Sequence, residues 1–156
     1  MSNDKVDNAG VRVPPPLIYL SAMIAGLILN YFFPIAFLPV FLSRIVGIFF
    51  GALAVLIFVS AFLKFKQAET NVEPWKPTTA IISNGVYGYS RNPIYLAFTL
   101  FYTGAAFLFN SLWLFALLVP VLFVMRYAVI AREERYLENK FGTEYSDYKR
   151  RVRRWI

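Results

Sequence analysis

The stretch from Gly85 to Tyr95 carries side chains suited to chemistry on a charged small molecule: an arginine, an asparagine and three tyrosines. Asparagine is a favourable N-cap and proline suits the first helical turn, so Asn92-Pro93 predicts a helix start. The first N–H groups of that helix would face Arg91 and the loop before it, which favours a bound carboxylate or phosphate. The alternative is an interfacial turn with an aromatic belt and a capped helix.

A second set of charged residues lies in and after a later apolar run. Arg126 is inside that run, where a charge is costly enough to indicate a function or a buried partner. At helical spacing Arg126 and Glu133 share one face, whereas Glu134 points about 100° away. The alternative is an arginine that snorkels to the interface above a solvated, charged helix. If this helix lies beside Asn92-Pro93, both sets surround one pocket.

Cysteine and histidine are both absent from the 156 residues. Their absence excludes disulfides, thiol nucleophiles, Cys/His metal sites and triads that need an imidazole. We therefore expect no metal site, and we expect carboxylates, arginine, tyrosine, asparagine and backbone dipoles to carry any chemistry. The net charge of +7 does not predict nucleic-acid binding, because the basic residues fall at the ends of apolar segments. Membrane orientation and anionic membrane lipids explain that pattern.

The elements that position these residues are apolar helices. The chain is 58% hydrophobic, and about 17 to 25 apolar residues are needed to span the hydrocarbon of a bilayer. We predict an all-α integral membrane domain over residues 17–156 with four transmembrane helices, at about 17–33, 45–63, 93–109 and 112–130. The last two are joined by the short turn Asn110-Ser111, so they should form an antiparallel helical hairpin at the core.

The other segments are more polar. Residues 1–16 predict a mobile tail without a cleaved signal peptide, because they are polar, then proline-rich, and have no apolar periodicity. The connection 64–92 has too many aromatic residues to be a mere linker. Residues 131–152 predict a helical extension into water that is interrupted at Gly142. Lysine and arginine concentrate in these three segments, so both termini should be cytoplasmic.

Three motifs occur in order: Gly-Val-Tyr with Ser-Arg-Asn-Pro-Ile-Tyr, then Glu133-Glu134, then Phe-Gly-Thr-Glu-Tyr-Ser-Asp-Tyr-Lys-Arg-Arg-Val. This series, within residues 78–152, resembles the isoprenylcysteine carboxyl methyltransferases and the related membrane phospholipid methyltransferases. The resemblance implies methyl transfer from S-adenosylmethionine to a hydrophobic or lipid-like acceptor at the cytoplasmic membrane face. The acceptor could be the carboxylate of an isoprenylated cysteine-like molecule, a lipid amine or another hydrophobic small molecule.

The resemblance also implies a cofactor site closed by the loop and the C-terminal helices. Glu133 would bind the amino group of the cofactor, and a nearby arginine would contact the acceptor, for which Arg126 and Arg132 are both candidates. The other residues expected to bind the cofactor are Thr79, Ala80, Ile81, Ile82, Tyr87, Arg91, Asn92, Pro93, Ile94 and Tyr95.

One position departs from the family pattern. The family usually has histidine where this chain has Asn92, and an amide forms hydrogen bonds but does not titrate. Cofactor binding is compatible with that exchange, whereas proton transfer is not. A carboxylate acceptor needs no base, but an ammonium acceptor must first lose a proton, to Glu133, Glu134 or a tyrosine.

Two other functions fit the same residues. The C-terminal half of the membrane sterol reductases is similar and binds a nicotinamide cofactor, although the chain is short and its motifs are closer to the methyltransferases. A non-catalytic membrane scaffold would use the polar residues only as caps and anchors. Titration with S-adenosylmethionine and with NADPH would separate the three.

Overall fold

A computed structural model describes residues 7–11 and 13–156, which form helices and loops with no β-strand among them. The parts of the predicted tail at residues 1–6 and at Arg12 lie outside the described residues. The helices are α1 (Pro15–Phe32), α2 (Val40–Gln67), α3 (Pro93–Leu108), α4 (Leu112–Val124), α5 (Ala131–Phe141) and α6 (Thr143–Arg151). The π-helical segment Met125–Ile130 joins α4 to α5 without a break.

Three helices are long and apolar enough to cross a membrane: α1, α2 and the continuous helix Leu112–Phe141. Their exposed surface carries large apolar side chains such as Phe41 and Phe49, as expected where lipid is the solvent. The helix α3 is also apolar, but it has only 16 residues. The all-helical membrane architecture is therefore confirmed with three candidate spans, and the fourth span stays a prediction.

Two glycine faces bring α2 and α3 together. A Cβ added to Gly47 would lie 2.9 Å from the carbonyl oxygen of Gly104, and one added to Gly104 would lie 3.0 Å from the backbone nitrogen of Gly51. A larger side chain at either contact would push the backbones apart. On the other side of the bundle α1 packs against α4, and α3 contacts α4 as the predicted hairpin requires.

Asn110 ties two loops together at one end of the bundle. Its side-chain oxygen accepts hydrogen bonds from the N–H groups of Phe37 and Leu38 at 3.3 and 3.2 Å. Its amide donates to the carbonyl oxygen of Leu38 at 2.7 Å. The α1–α2 loop and the α3–α4 turn therefore lie at the same end.

The opposite end of the bundle is polar and gathers the remaining segments. The N–H of Ala9 donates to the carbonyl oxygen of Pro74 at 3.3 Å, and the side-chain amide of Asn8 donates to the carbonyl oxygen of Trp75 at 3.1 Å. These bonds attach residues 7–11 to the α2–α3 connection, while the mobility of the tail stays a prediction. Residues 152–155, which we name the C-terminal strap, also return to this end and contact the loop before α3.

Candidate active site

A cleft of about 890 Å³, including the solvent space at its mouth, opens at the polar end. Its walls come from the α2–α3 connection, the first turn of α3, α5 and α6, and it combines apolar and aromatic side chains with a few polar groups, as small-molecule sites do. The residues expected to bind a cofactor line this cleft, with the exception of Thr79: Ala80, Ile81, Ile82, Tyr87, Arg91, Asn92, Pro93, Ile94, Tyr95 and Glu133.

The start of α3 forms one wall of the cleft. The helix begins at Pro93 as predicted, and Asn92 occupies the N-cap position. The Asn92 side chain forms no capping hydrogen bond, and its Nδ2 donates to the carbonyl oxygen of Arg154 at 3.0 Å. The N–H groups of Ile94 and Tyr95 have no intrahelical acceptor, as in the first turn of any α-helix. The positive end of the α3 dipole therefore borders the cleft.

Arg91 contributes a buried cation to the same wall. Its side chain is 8% exposed, and its Nη2 lies 3.1 Å from Oε1 of Glu134. Its Nε and Nη1 are buried and have no partner among the described residues. Buried polar groups without a partner are costly and uncommon, so these two nitrogens are candidates to bind a ligand in the cleft. An arginine with two available N–H directions is well suited to a carboxylate.

The adjacent glutamates of α5 have different partners. Glu134 is 6% exposed and accepts two hydrogen bonds from Arg154, at 3.0 Å from Nε and 2.6 Å from Nη2. Glu133 is half-buried and accepts the O–H of Tyr95 at 2.5 Å. Within residues 7–11 and 13–156 no lysine or arginine forms an ion pair with Glu133. The charge of Glu134 is therefore neutralised, whereas that of Glu133 remains available to a cation in the cleft.

Two tyrosines of α6 form a wall that the sequence did not predict. Tyr145 and Tyr148 are buried and line the cleft, because residues three apart share a helical face. The Tyr148 O–H donates to the carbonyl oxygen of Tyr87 at 2.7 Å. Burial raises the pKa of Tyr148 to about 12, and it also raises the pKa of Tyr145 and of Tyr87 above the ordinary value. The higher pKa favours the neutral form of all three at pH 7.

A tight turn aims Tyr87 into the cleft. Gly85 has a φ of +61°, which favours glycine, and a Cβ there would lie 2.8 Å from Cε of Lys64. Gly85 begins the 3₁₀ turn Gly85–Gly88, which contains the buried Tyr87 (6% exposed). Its ring meets Phe65 of α2 edge-on, with 5.6 Å between the ring centres. Phe65 is a further cleft residue that the sequence did not predict, since only the fold brings α2 to this turn.

Thr79 supports the loop from outside the cleft. Its N–H donates to Oγ1 of Thr70 at 2.9 Å, and its hydroxyl donates to the carbonyl oxygen of Glu69 at 3.4 Å. Both polar groups of Thr79 are therefore bonded to residues of the α2–α3 connection. These bonds hold the loop in place, and the next three residues of that loop line the cleft.

Arg126 lies outside the cleft that Glu133 lines. It is exposed, and its guanidinium carbon lies 5.5 Å from the centre of the Tyr127 ring. The segment Met125–Ile130 is π-helical, and each π turn closes with one more residue than an α turn. The regular helical spacing that predicted a shared face is therefore interrupted between the two residues. A contact of Arg126 with an acceptor stays a prediction.

Arg132 also lies outside this cleft. It is exposed, and its Nη1 donates to the carbonyl oxygen of Gly10 at 3.0 Å. It lines a separate, apolar groove together with Val11, Ile18 and Val129. Its role toward an acceptor is likewise a prediction.

Comparisons with known proteins identify a family and two partial relatives. The family model for phospholipid methyltransferases matches residues 42–144. An uncharacterized protein of Haemophilus influenzae is 49% identical over 47 residues, which cover 30% of this chain and 73% of that protein. The protein-S-isoprenylcysteine O-methyltransferase of Schizosaccharomyces pombe is 35% identical over 75 residues, or 46% of this chain. The matched part spans only 30% of the length of that enzyme. No solved structure gave a match.

The family match extends from α2 through the α2–α3 connection, α3 and α5, and so includes most of the cleft walls. It covers more than half of the chain. The resemblance is therefore confirmed: the chain belongs to the phospholipid methyltransferase family of membrane methyltransferases.

Proposed function

We propose that this protein transfers the methyl group of S-adenosylmethionine to a membrane-soluble acceptor at the cytoplasmic face of the membrane. One observation supports the cofactor above all. The cleft contains a buried arginine, Arg91, with two unpaired nitrogens, and a carboxylate, Glu133, without a cationic partner among the described residues. This pair is complementary to the carboxylate and ammonium groups of an α-amino acid, which S-adenosylmethionine carries. When bound, the cofactor supplies a methyl group already activated on a sulfonium.

The cleft residues would bind and orient that group. Arg91 and the first N–H groups of α3 would hold its carboxylate, and Glu133, held by Tyr95, would hold its ammonium. Tyr87 and Ile81 line the cleft and would exclude water. Binding and orientation suffice for this chemistry, because methyl transfer chiefly requires the nucleophile, the methyl group and the leaving sulfur to be aligned.

A carboxylate fits best as the acceptor, because the cleft has few groups that could remove a proton. Glu134 is bound to two arginines, and the Asn92 amide does not titrate. The buried tyrosines are neutral, and Glu133 is used by the cofactor. An acceptor that needs no deprotonation is therefore favoured over an ammonium. Ile94 lines the cleft at the first turn of the apolar α3, so a hydrophobic tail could follow that helix into lipid.

The proposed topology has α3 as a fourth span, with both terminal segments in the cytoplasm. Sixteen helical residues extend about 24 Å, somewhat less than the roughly 30 Å of hydrocarbon. Ser90, just before α3, is 3% exposed and is covered by the C-terminal strap. Irregular backbone is tolerated at membrane depth where protein covers it. The α3 start and the cleft can thus lie slightly below the membrane surface.

Binding and transfer are tested on the purified protein in detergent. We expect saturable binding of S-adenosylmethionine and none of NADPH, measured by calorimetry. With methyl-labelled cofactor and extracted membrane lipids, label should enter an apolar product and be released by alkali as methanol, as from a methyl ester. A methyl label that alkali does not release would instead indicate a lipid amine as the acceptor. Absence of cofactor binding would contradict the proposed function.

A further inference from the structure

The C-terminal strap is hydrogen-bonded to the loop that forms the α3 side of the cleft. The N–H of Arg91 donates to the carbonyl oxygen of Arg153 at 3.0 Å. The hydroxyl of Ser90 and the amide of Asn92 donate to the carbonyl oxygen of Arg154 at 3.4 and 3.0 Å. The strap therefore holds three consecutive residues, of which Arg91 and Asn92 line the cleft.

The side chain of Arg154 shares one buried carboxylate with Arg91. Arg154 binds both oxygens of Glu134, with Nε at 3.0 Å from Oε1 and Nη2 at 2.6 Å from Oε2. Arg91 reaches only Oε1, through Nη2 at 3.1 Å. Glu134 thus gives its bidentate face to Arg154, and Arg91 keeps Nε and Nη1 without a partner among the described residues.

Loss of Arg154 would change what Arg91 can bind. A buried carboxylate needs its charge balanced, and Arg91 is the other arginine bound to Glu134. Two parallel N–H···O bonds are the favoured geometry between an arginine and a carboxylate. Glu134 would therefore turn toward Arg91 and occupy a second of its nitrogens. Fewer N–H groups would then face a ligand in the cleft.

We infer that Arg154 is a positioning residue that keeps Arg91 available for a carboxylate-bearing ligand. The inference rests on the proposed function, because that ligand is the amino-acid end of S-adenosylmethionine. It assigns a role to a residue beyond the motifs, which end at Val152. The inference also predicts which ligands are affected: binding of a cofactor that lacks the carboxylate should not depend on Arg154.

The test compares two ligands in matched variants. S-adenosylmethionine and its decarboxylated form share the adenosine, sulfonium and ammonium groups and differ in the carboxylate. Arg154→Gln should weaken binding of S-adenosylmethionine roughly tenfold, the scale of one charge-assisted hydrogen bond, and leave the decarboxylated form within about twofold. Arg154→Lys should restore part of the lost affinity. Arg151→Gln, at an exposed arginine on α6, makes the same charge change and should bind both ligands like the wild type.

A double variant checks that Arg154 acts through Arg91. Arg91→Gln should remove the preference for S-adenosylmethionine, and Arg154→Gln added to it should cause no further loss. Equal weakening of both ligands by Arg154→Gln would overturn the inference, since the strap would then only maintain the fold. Unchanged affinity for S-adenosylmethionine would overturn it as well. If Arg154→Gln does not fold, Arg154→Lys gives the decisive comparison through a smaller loss confined to S-adenosylmethionine. A wild-type protein that binds neither ligand would instead contradict the proposed function.

Discussion

Glu133 and Glu134 are neighbours on α5, but their side chains have different bonding partners. Glu134 lies between two arginines, and this pairing permits a carboxylate to be buried. Glu133 has a tyrosine O–H as its partner, which orients the carboxylate without neutralising it. A successive pair on a helix points about 100° apart, and although both glutamates line the cleft, it is Glu134 that also binds the strap.

The residue-scale prediction for Glu133 concerns the cofactor. Glu133→Gln keeps the shape and the hydrogen bond from Tyr95 but removes the negative charge, so S-adenosylmethionine should bind roughly 10- to 100-fold more weakly. Glu138→Gln is the matched control, because Glu138 lies on the same helix and pairs with Lys149. Calorimetric titration measures both. Unchanged affinity in Glu133→Gln would move the role to Glu134 or end the cofactor interpretation.

A second residue-scale prediction concerns Arg126, which is exposed and lies beside the Tyr127 ring. If its guanidinium is an interfacial cation, lysine can also extend its charge to the interface. Arg126→Lys should therefore bind the cofactor and turn over nearly like the wild type, as measured by titration and single-turnover methylation. Normal binding with lost turnover would instead support a role in orienting the acceptor, for which the planar fork is needed.

The sequence predicted where residues lie along the chain and in the cleft better than it predicted their hydrogen-bond partners. The pair Asn92-Pro93 predicted where α3 begins, because N-cap and first-turn preferences are local. The same preference predicted a capping role for the Asn92 side chain, which instead donates to Arg154. That partner depends on where the strap lies in the fold, and no local pattern near Asn92 indicates it.

At the scale of elements, apolar runs and turn residues predicted most helices. The helix ends near Pro34, Pro39, Asn110 and Gly142 follow from local backbone chemistry. The π-helical segment was not predictable from the pattern, because Met125–Ile130 contains ordinary helix-compatible residues. Because this segment lies between Arg126 and Glu133, regular α-helical spacing does not predict the faces on which these two residues lie.

The element-scale prediction uses two glycines one turn apart on α2. Gly47→Ala places a methyl group 2.9 Å from the Gly104 carbonyl oxygen, whereas a Cβ at Gly51 meets no atom within 4 Å. Gly47→Ala should lower the free energy of unfolding by about 1 to 3 kcal/mol through overpacking. Gly51→Ala should be neutral or raise it by up to about 1 kcal/mol through helix propensity. Unfolding in mixed detergent micelles measures both, and equal effects would contradict the close α2–α3 packing.

The whole-molecule prediction concerns orientation in the membrane. The α1–α2 loop and the α3–α4 turn are joined by Asn110 at one end, and the cleft lies at the other. The chain has no cysteine, so single cysteines at Ala36, Phe109, Gln67 and Glu144 can be labelled one at a time. In intact cells an impermeant reagent should label the variants at Ala36 and Phe109 only. Labelling at Gln67 or Glu144 would contradict the cytoplasmic placement of the cleft.

The C-terminal strap has a further consequence for the order in which the protein is made. Residues 152–155 follow every apolar helix in the chain, so the strap can bind the cleft only after those helices have been synthesised. Until then Glu134 lacks Arg154 and the loop before α3 lacks its support. A partly synthesised chain should therefore have little affinity for S-adenosylmethionine. The cleft thus gains its last supporting contacts only when residues 153 and 154 have been added.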